Sequence, residues 1–358
     1  MDSVRLTIVS APLNYIQTNK ISKQTIMHGK KKWIALGLVV LGGLLLLLIP
    51  DEPKPSYFHN QGKVFGTYYN IQYEADGDLQ DEIESAFEAF DRSLSMFNPQ
   101  SVISHINQNR DTTTDVYFEQ MWAEAARVHQ ESEGAFDITV APLVNLWGFG
   151  FKNREQVTQA KIDSLLPLVG FEKVHLEAHR VSKDDARIML DASAVAKGQA
   201  CDMIAALLAE KGSTNYLVDI GGEVVAKGVN RQGKAWRIGI TKPQDDPSGQ
   251  LQEMEEVIET EDICMATSGN YRNFYYEGDQ RRSHTIDPRT GCPVQHNLLS
   301  ATVVASSCMR ADALATACMV LGEEAGLQMI NSHADAECYL IVAQADSTIV
   351  LRSEGWKE

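Results

Sequence analysis

"MRADALATACMVLG", Met309 to Gly322, is the stretch on which the reading of this chain turns. Small and apolar residues follow one another without strand alternation, so it reads as a buried helix closed by Gly322. Asp312 and Thr316 stand at i and i+4 and so face one side. A carboxylate inside such a helix is costly unless a positive group or a hydrogen-bond donor meets it. Taken alone, the pair favours the plainer explanation: with Arg310 and "SSCMRAD" beside it, Asp312 is an acid near a helix N-terminus, favoured by the dipole. The rarer explanation is a divalent cation such as Mg2+, which takes a carboxylate, a second oxygen and phosphate oxygens.

The segments around this helix set the fold class. "LLSATVVASS" before it reads as a strand, and "AECYLIVAQADSTIVLRSEGW" after it as a hairpin. Further upstream, "NYLVDIGGEVVAKG" is a strand pair broken by Gly221-Gly222, and "AWRIGITKP" and "KVFGTYYNIQYEA" are strands. "DLQDEIESAFEAFDRSLSMF" has apolar residues at helical spacing and predicts a helix ending near Phe97. "DVYFEQMWAEAARVHQESEGAF" predicts another, with Gly134 as its C-cap. "RIMLDASAVAKGQACDMIAALLAEKG" reads strand, tight turn, helix, closed by Gly212. Strands and helices intersperse without a strict βαβ rhythm, which favours α+β with mixed or antiparallel sheets and packed helices over a doubly wound fold. No G-x-G-x-x-G follows a strand and no Walker A sequence occurs.

The chain has 358 residues and a formal net charge of -16. That acidity argues against nucleic acid as a partner, which would need a basic surface. The N-terminus differs from the rest. Lys30, Lys31 and Lys32 precede an uncharged apolar run from Trp33 to Ile49, roughly 26 Å long as a helix. The lysines place residues 1–32 in the cytoplasm and everything after Pro50 outside. The organisation expected is a short cytoplasmic N-terminus (1–32), one transmembrane signal-anchor (33–49), a linker (50–61) and an exported domain (62–358). A cleaved signal peptide is the alternative, but no small-x-small site follows the run. The six cysteines, at 201, 264, 292, 308, 318 and 338, show no metal spacing; disulfides and buried free thiols both stay open.

Three further segments carry possible chemistry. In "LDASAVAKG", Asp191 precedes small residues that admit a ligand, and Lys197 sits in the first turn of a helix, a good anion site. A capping Asp191 or Ser193 with a solvated lysine explains it equally well. In "SHTIDPRTG", Asp287 to Gly291 is a turn signature, and His284 before it is placed to act as a general base. Most lone histidines do no chemistry. In "GAFDITVAPLVNLWGFG", Phe136 is either core or a stacking platform for a flat ring.

Taken together and in order, "FGTYYNI", "GAFDITVAPLVNLWGFG", "LDASAVAKG", "VDIGGEV", "ATSGNYRNFY", "SHTIDPRTG" and "ADALATA" resemble the ApbE-type flavin transferases, the FAD:protein FMN transferases. The likeness runs from about Phe65 to Gly322. It implies an ApbE-like fold on the outer face of the bacterial cytoplasmic membrane. It implies cleavage of FAD and attachment of FMN, through a phosphoester, to a threonine or serine of a target protein, typically a subunit of a redox pump, with release of AMP. Asp312, Thr316 and the backbone carbonyl of Ala194 would hold Mg2+. FAD contacts would fall on Phe65, Phe97, Ala135, Phe136, Asp137, Asp191, Lys197 and Ile286, and His284 would be the base. Many relatives are lipoproteins; here no lipid-accepting cysteine follows the apolar run. Two other functions would share the site: an FAD pyrophosphatase releasing FMN and AMP, and a non-catalytic exported flavin-binding protein.

Overall fold

Eight strands build the main sheet: β1 (Ser56–Val64), β2 (Thr67–Ala75), β3 (Tyr216–Ile220), β4 (Glu223–Lys227), β5 (Asp262–Gly269), β6 (Leu298–Ala305), β7 (Ala336–Gln344) and β8 (Ser347–Arg352). The computed structural model describes residues 56–150, 156–243, 253–270, 274–277, 280–345 and 347–356. The strands lie side by side in strict chain order, and every neighbouring pair is antiparallel. The α+β class expected from the sequence is the one the chain adopts. The apolar run at 33–49 lies outside the described residues; among those described, no helix is long and apolar enough to cross a membrane.

The first hairpin departs from the sequence reading. Phe65 (φ 50°) and Gly66 (φ 77°) are both left-handed, the requirement of the tight turn that suits twisted strands. So "KVFGTYYNIQYEA", read as one strand, is the end of β1, a turn and β2. Pairing with β2 also draws Ser56 to Gln61, read as part of a linker, into β1.

Alternation along the strands sends side chains to two different layers. Ile71, Tyr73, Val218, Ile220, Ala301 and Val303 face the helices. Leu217, Val224, Ala226, Ile263 and Met265 face the hairpin of Trp236–Thr241 and Met254–Thr260, which contributes Trp236 and Ile238. The sheet is therefore covered on both faces.

Eight α-helices are described: α1 (Gln80–Leu94), α2 (Val102–Asn107), α3 (Val116–Glu131), α4 (Ala141–Trp147), α5 (Gln159–Leu165), α6 (Ala196–Glu210), α7 (Cys308–Leu321) and α8 (Glu323–Asn331). In α1, Ile83, Phe87, Phe90 and Leu94 form the buried stripe. The helix stops at Leu94, short of Phe97, because Ser95 turns extended and its carbonyl accepts the hydroxyl of Ser101, the cap of α2. The strand expected before α6 is absent. Residues 188–190 join no sheet, and the side-chain amide of Asn107 stands in for a neighbouring strand, accepting from Leu190 N (2.7 Å) and donating to Leu190 O (2.9 Å).

α6 and α7 cross closely, and Gly198 is the reason. A Cβ there would lie 2.2 Å from the carbonyl oxygen of Cys308. Gly198→Ala gains up to about 1 kcal/mol of helix propensity. The backbone clash nevertheless wins, with a net loss of about 1–3 kcal/mol expected. Thermal melts measure it; a Gly198→Ala protein that melts above wild type contradicts the close crossing. The six cysteines are free thiols, four of them buried.

Candidate active site

A cavity of about 450 Å³ opens where the start of α6 and one side of α7, from Asp312 to Val320, meet the start of β4 and the end of β5, walled by the 135–149 segment and the 284–288 loop. Each helix start is fixed by its own chemistry. Ser307 caps α7 by accepting from Arg310 N (3.2 Å). The Asp202 carboxylate of α6 accepts from Cys308 N (2.9 Å) and Met309 N (2.8 Å), consuming two of the orphan amides at the start of α7. Ahead of α6, Asp191 closes a turn by accepting from Ser193 N (2.8 Å).

This scaffold puts three charges together. Asp312, 2 % exposed, accepts from Gly198 N at 3.0 Å, and Lys197 Nζ lies 3.6 Å away; both contacts fall on Oδ2. Lys197 also donates to Glu223 Oε1 at 2.9 Å. Burial opposes the charge on Lys197, but the Asp312 and Glu223 carboxylates outweigh it and hold the ammonium's pKa above the usual lysine range. Burial pushes Glu223 up, and the lysine beside it only partly restrains the rise. Beyond the trio, the Thr316 hydroxyl sits 3.2 Å from Ser268 Oγ.

The structure brings most of the expected residues to this one cavity: Ala135, Phe136, Asp137, Asp191, Ala194, Lys197, His284, Ile286, Asp312 and Thr316 all line it. Two are elsewhere. Phe65 sits in the β1–β2 turn against Phe87 and Phe90, and Phe97 follows α1 at 80 % exposure; neither lines the cavity. Asp137 lines it but has a structural commitment. Its Oδ1 accepts from Thr139 N (2.8 Å) and Thr139 Oγ1 (2.6 Å), and Oδ2 from Phe171 N (3.0 Å). Burial raises its pKa against those hydrogen bonds. His284 contributes an imidazole to the wall, its ring edge-on to Phe149.

Glu223 and Ser268 are among the cavity residues the sequence reading left without a role. Both lie inside segments it had quoted, "VDIGGEV" and "ATSGNYRNFY". The available signal for Glu223 was a single acid opening an otherwise apolar strand directly after two glycines.

Oxygen donors, a lysine at a helix start and an imidazole share this one cavity, a set with which an α+β protein can meet a phosphorylated ligand. A sequence profile of the ApbE family matches residues 65–340. The chain is 39 % identical over 307 residues to an FAD:protein FMN transferase of Vibrio cholerae, covering 83 % of this chain and 90 % of the relative. With one of Haemophilus influenzae it shares 36 % over 337 residues, 89 % and 96 % of the two chains. The solved flavin transferase ApbE of Vibrio cholerae superposes with a TM-score of 0.76 at 37 % identity, over 84 % of this chain and 98 % of that one. The flavinyl transferase ApbE of Pseudomonas stutzeri gives 0.76 at 29 % identity, over 85 % and 96 %. This chain belongs to the ApbE family and is an enzyme of the flavin-transferase class.

Proposed function

We propose that the chain cleaves FAD and transfers its FMN half to a threonine or serine hydroxyl of a target protein, with Mg2+ and release of AMP. The observation that carries this reading is the convergence of Asp312, Thr316, Lys197 and His284 on one cavity. The donor set suits Mg2+, which prefers hard oxygens: a carboxylate whose two contacts both fall on Oδ2, a threonine hydroxyl, and the Ala194 backbone at the cavity wall. When bound there, the ion supplies charge neutralisation for the diphosphate and the departing AMP.

The chain's own residues do the rest. Lys197 offers its ammonium to a phosphate oxygen. His284 accepts the proton of the acceptor hydroxyl as that oxygen bonds to the FMN phosphorus. The bond from phosphorus to the AMP oxygen breaks, and AMP leaves with the electron pair. Phe136 and Ile286 give the flavin ring apolar surface. Such transfers leave the protein mainly positioning and electrostatics to provide.

The apolar run at 33–49, with three lysines before it, supports a single-pass anchor that holds the catalytic unit on the outer face of a bacterial cytoplasmic membrane. A redox-pump subunit there is the acceptor this location fits. Incubation with FAD, Mg2+ and such a subunit should raise the acceptor's mass by that of FMN less one water. His284→Ala should cut that transfer by about 10²–10⁴-fold, as loss of a general base does. Free FMN with an unmodified acceptor would make the protein a pyrophosphatase, and intact FAD would make it a binding protein.

A further inference from the structure

Lys197, about a third exposed, and the buried Asp312 are opposite charges 3.6 Å apart. A lysine that closed fully on this aspartate would cancel the carboxylate a divalent cation needs. The ammonium has a second and nearer anion in Glu223, at 2.9 Å against 3.6 Å for Asp312. The left-handed pair Gly221 (φ 70°) and Gly222 (φ 105°) turns β3 into β4 and sets Glu223 at the cavity wall as the first residue of β4. Its side chain is 3 % exposed. Oε1 takes the lysine, while Oε2 is buried with no hydrogen-bond partner among the described residues.

A half-satisfied buried carboxylate is a poor stabilising device, since an apolar side chain of similar volume would serve the fold as well or better. Its geometry does one specific thing: it gives the Lys197 ammonium a second, closer anion. We propose that Glu223 is a positioning residue for cation binding, which holds Lys197 off Asp312 and so keeps the Asp312 carboxylate available to a divalent ion. This rests on the metal site of the preceding section and adds a residue to it. Without the glutamate charge, Asp312 is the one anion left in contact with the ammonium among the described residues. Lysine and metal then compete for a single carboxylate.

Competition has a signature that structural damage lacks: removing the competitor restores binding. The test titrates the full chain, free of nucleotide, with Mn2+ followed by the loss of its free-ion EPR signal. Glu223→Gln is expected to weaken Mn2+ binding about tenfold, within the range seen for groups that orient metal ligands. Adding Lys197→Met to that variant is expected to bring affinity back to within about threefold of wild type. Wild-type affinity in Glu223→Gln, or a double variant as weak as the single one, overturns the proposal. Glu223→Asp, which keeps the charge and shortens its reach, asks the same question if the glutamine protein fails to fold: it should weaken binding in part and be rescued by the same lysine change. Asp312→Asn is titrated alongside. Full binding there removes the metal site itself, whereas loss there with unchanged binding in Glu223→Gln removes only the role of Glu223.

Discussion

Asp312→Asn is expected to reduce flavin transfer by about 10²–10³-fold, on the order of 3–4 kcal/mol of transition-state stabilisation, while leaving the fold in place. The substitution keeps shape and volume. The amide oxygen can still accept from Gly198 N, the 3.0 Å bond that ties α7 to the start of α6. What it removes is the charge, and with it the anionic ligand of the proposed cation site. Asp312→Ala separates the two roles: it also orphans the Gly198 N–H, adding a stability loss of about 1–3 kcal/mol. Transfer rates at saturating FAD, read against Mg2+ concentration, together with thermal melts of both variants, make the comparison. An asparagine variant that keeps full Mg2+-dependent transfer removes Asp312 from the chemistry.

The helix that opened the sequence reading shows where local signals suffice. Small residues on every side of α7 announced a buried helix, and α7 is enclosed by β5, β6, α3, α6 and α8. Gly221-Gly222 announced the β3–β4 reversal because glycine adopts successive positive φ values without steric cost. The same rule failed at Phe65-Gly66, where the first left-handed residue is a phenylalanine and so carries no turn signal. Residues 188–190 looked like a strand by composition. Their partner is the side chain of Asn107, some eighty residues earlier in the chain, and a long-range pairing of that kind leaves no periodicity to read.

The candidate site divides in the same way. Asp191, Lys197, His284, Asp312 and Thr316 were legible because each belongs to a segment with its own local chemistry. Asp137 was legible as a cavity residue, but its hydrogen bonds to Thr139 and Phe171 make it a cap for the turn that follows. Glu223 escaped because its meaning is relational: an acid before "VVAK" becomes informative only when Lys197 and Asp312 are seen across from it.

The largest stability effect belongs to Arg310, two residues before Asp312. Its side chain is 1 % exposed and meets three carboxylates. Nη1 donates to Glu124 (3.1 Å) and Glu131 (3.0 Å), and Nη2 donates to Glu131 (3.3 Å) and Asp335 (3.2 Å). The cluster ties the first turn of α7 to α3 and to the loop before β7, and so fixes the helix that carries Asp312 and Thr316. Arg310→Met fills the space but removes the buried cation of the cluster, leaving Glu131 and Asp335 with the half-exposed Arg127 at 3.1 and 3.5 Å, for an expected loss of about 3 kcal/mol. In a unit of this size that is on the order of 5–10 °C in melting temperature. The pH dependence has a definite sign. Burial alone would raise Asp335, but the hydrogen bonds and charge of Arg310 prevail and hold its pKa below the usual aspartate range. A carboxylate depressed in the folded state stabilises above its unfolded pKa of about 4, and that stabilisation drains away as pH falls through the folded value. The gap between wild type and Arg310→Met should therefore be full near neutrality and narrow below about pH 4. Melts of both proteins across that range decide it: a gap that stays constant to pH 3, or one under about 1 kcal/mol at neutrality, would mean that the acids tolerate the loss of arginine and that α7 is pinned by its caps alone.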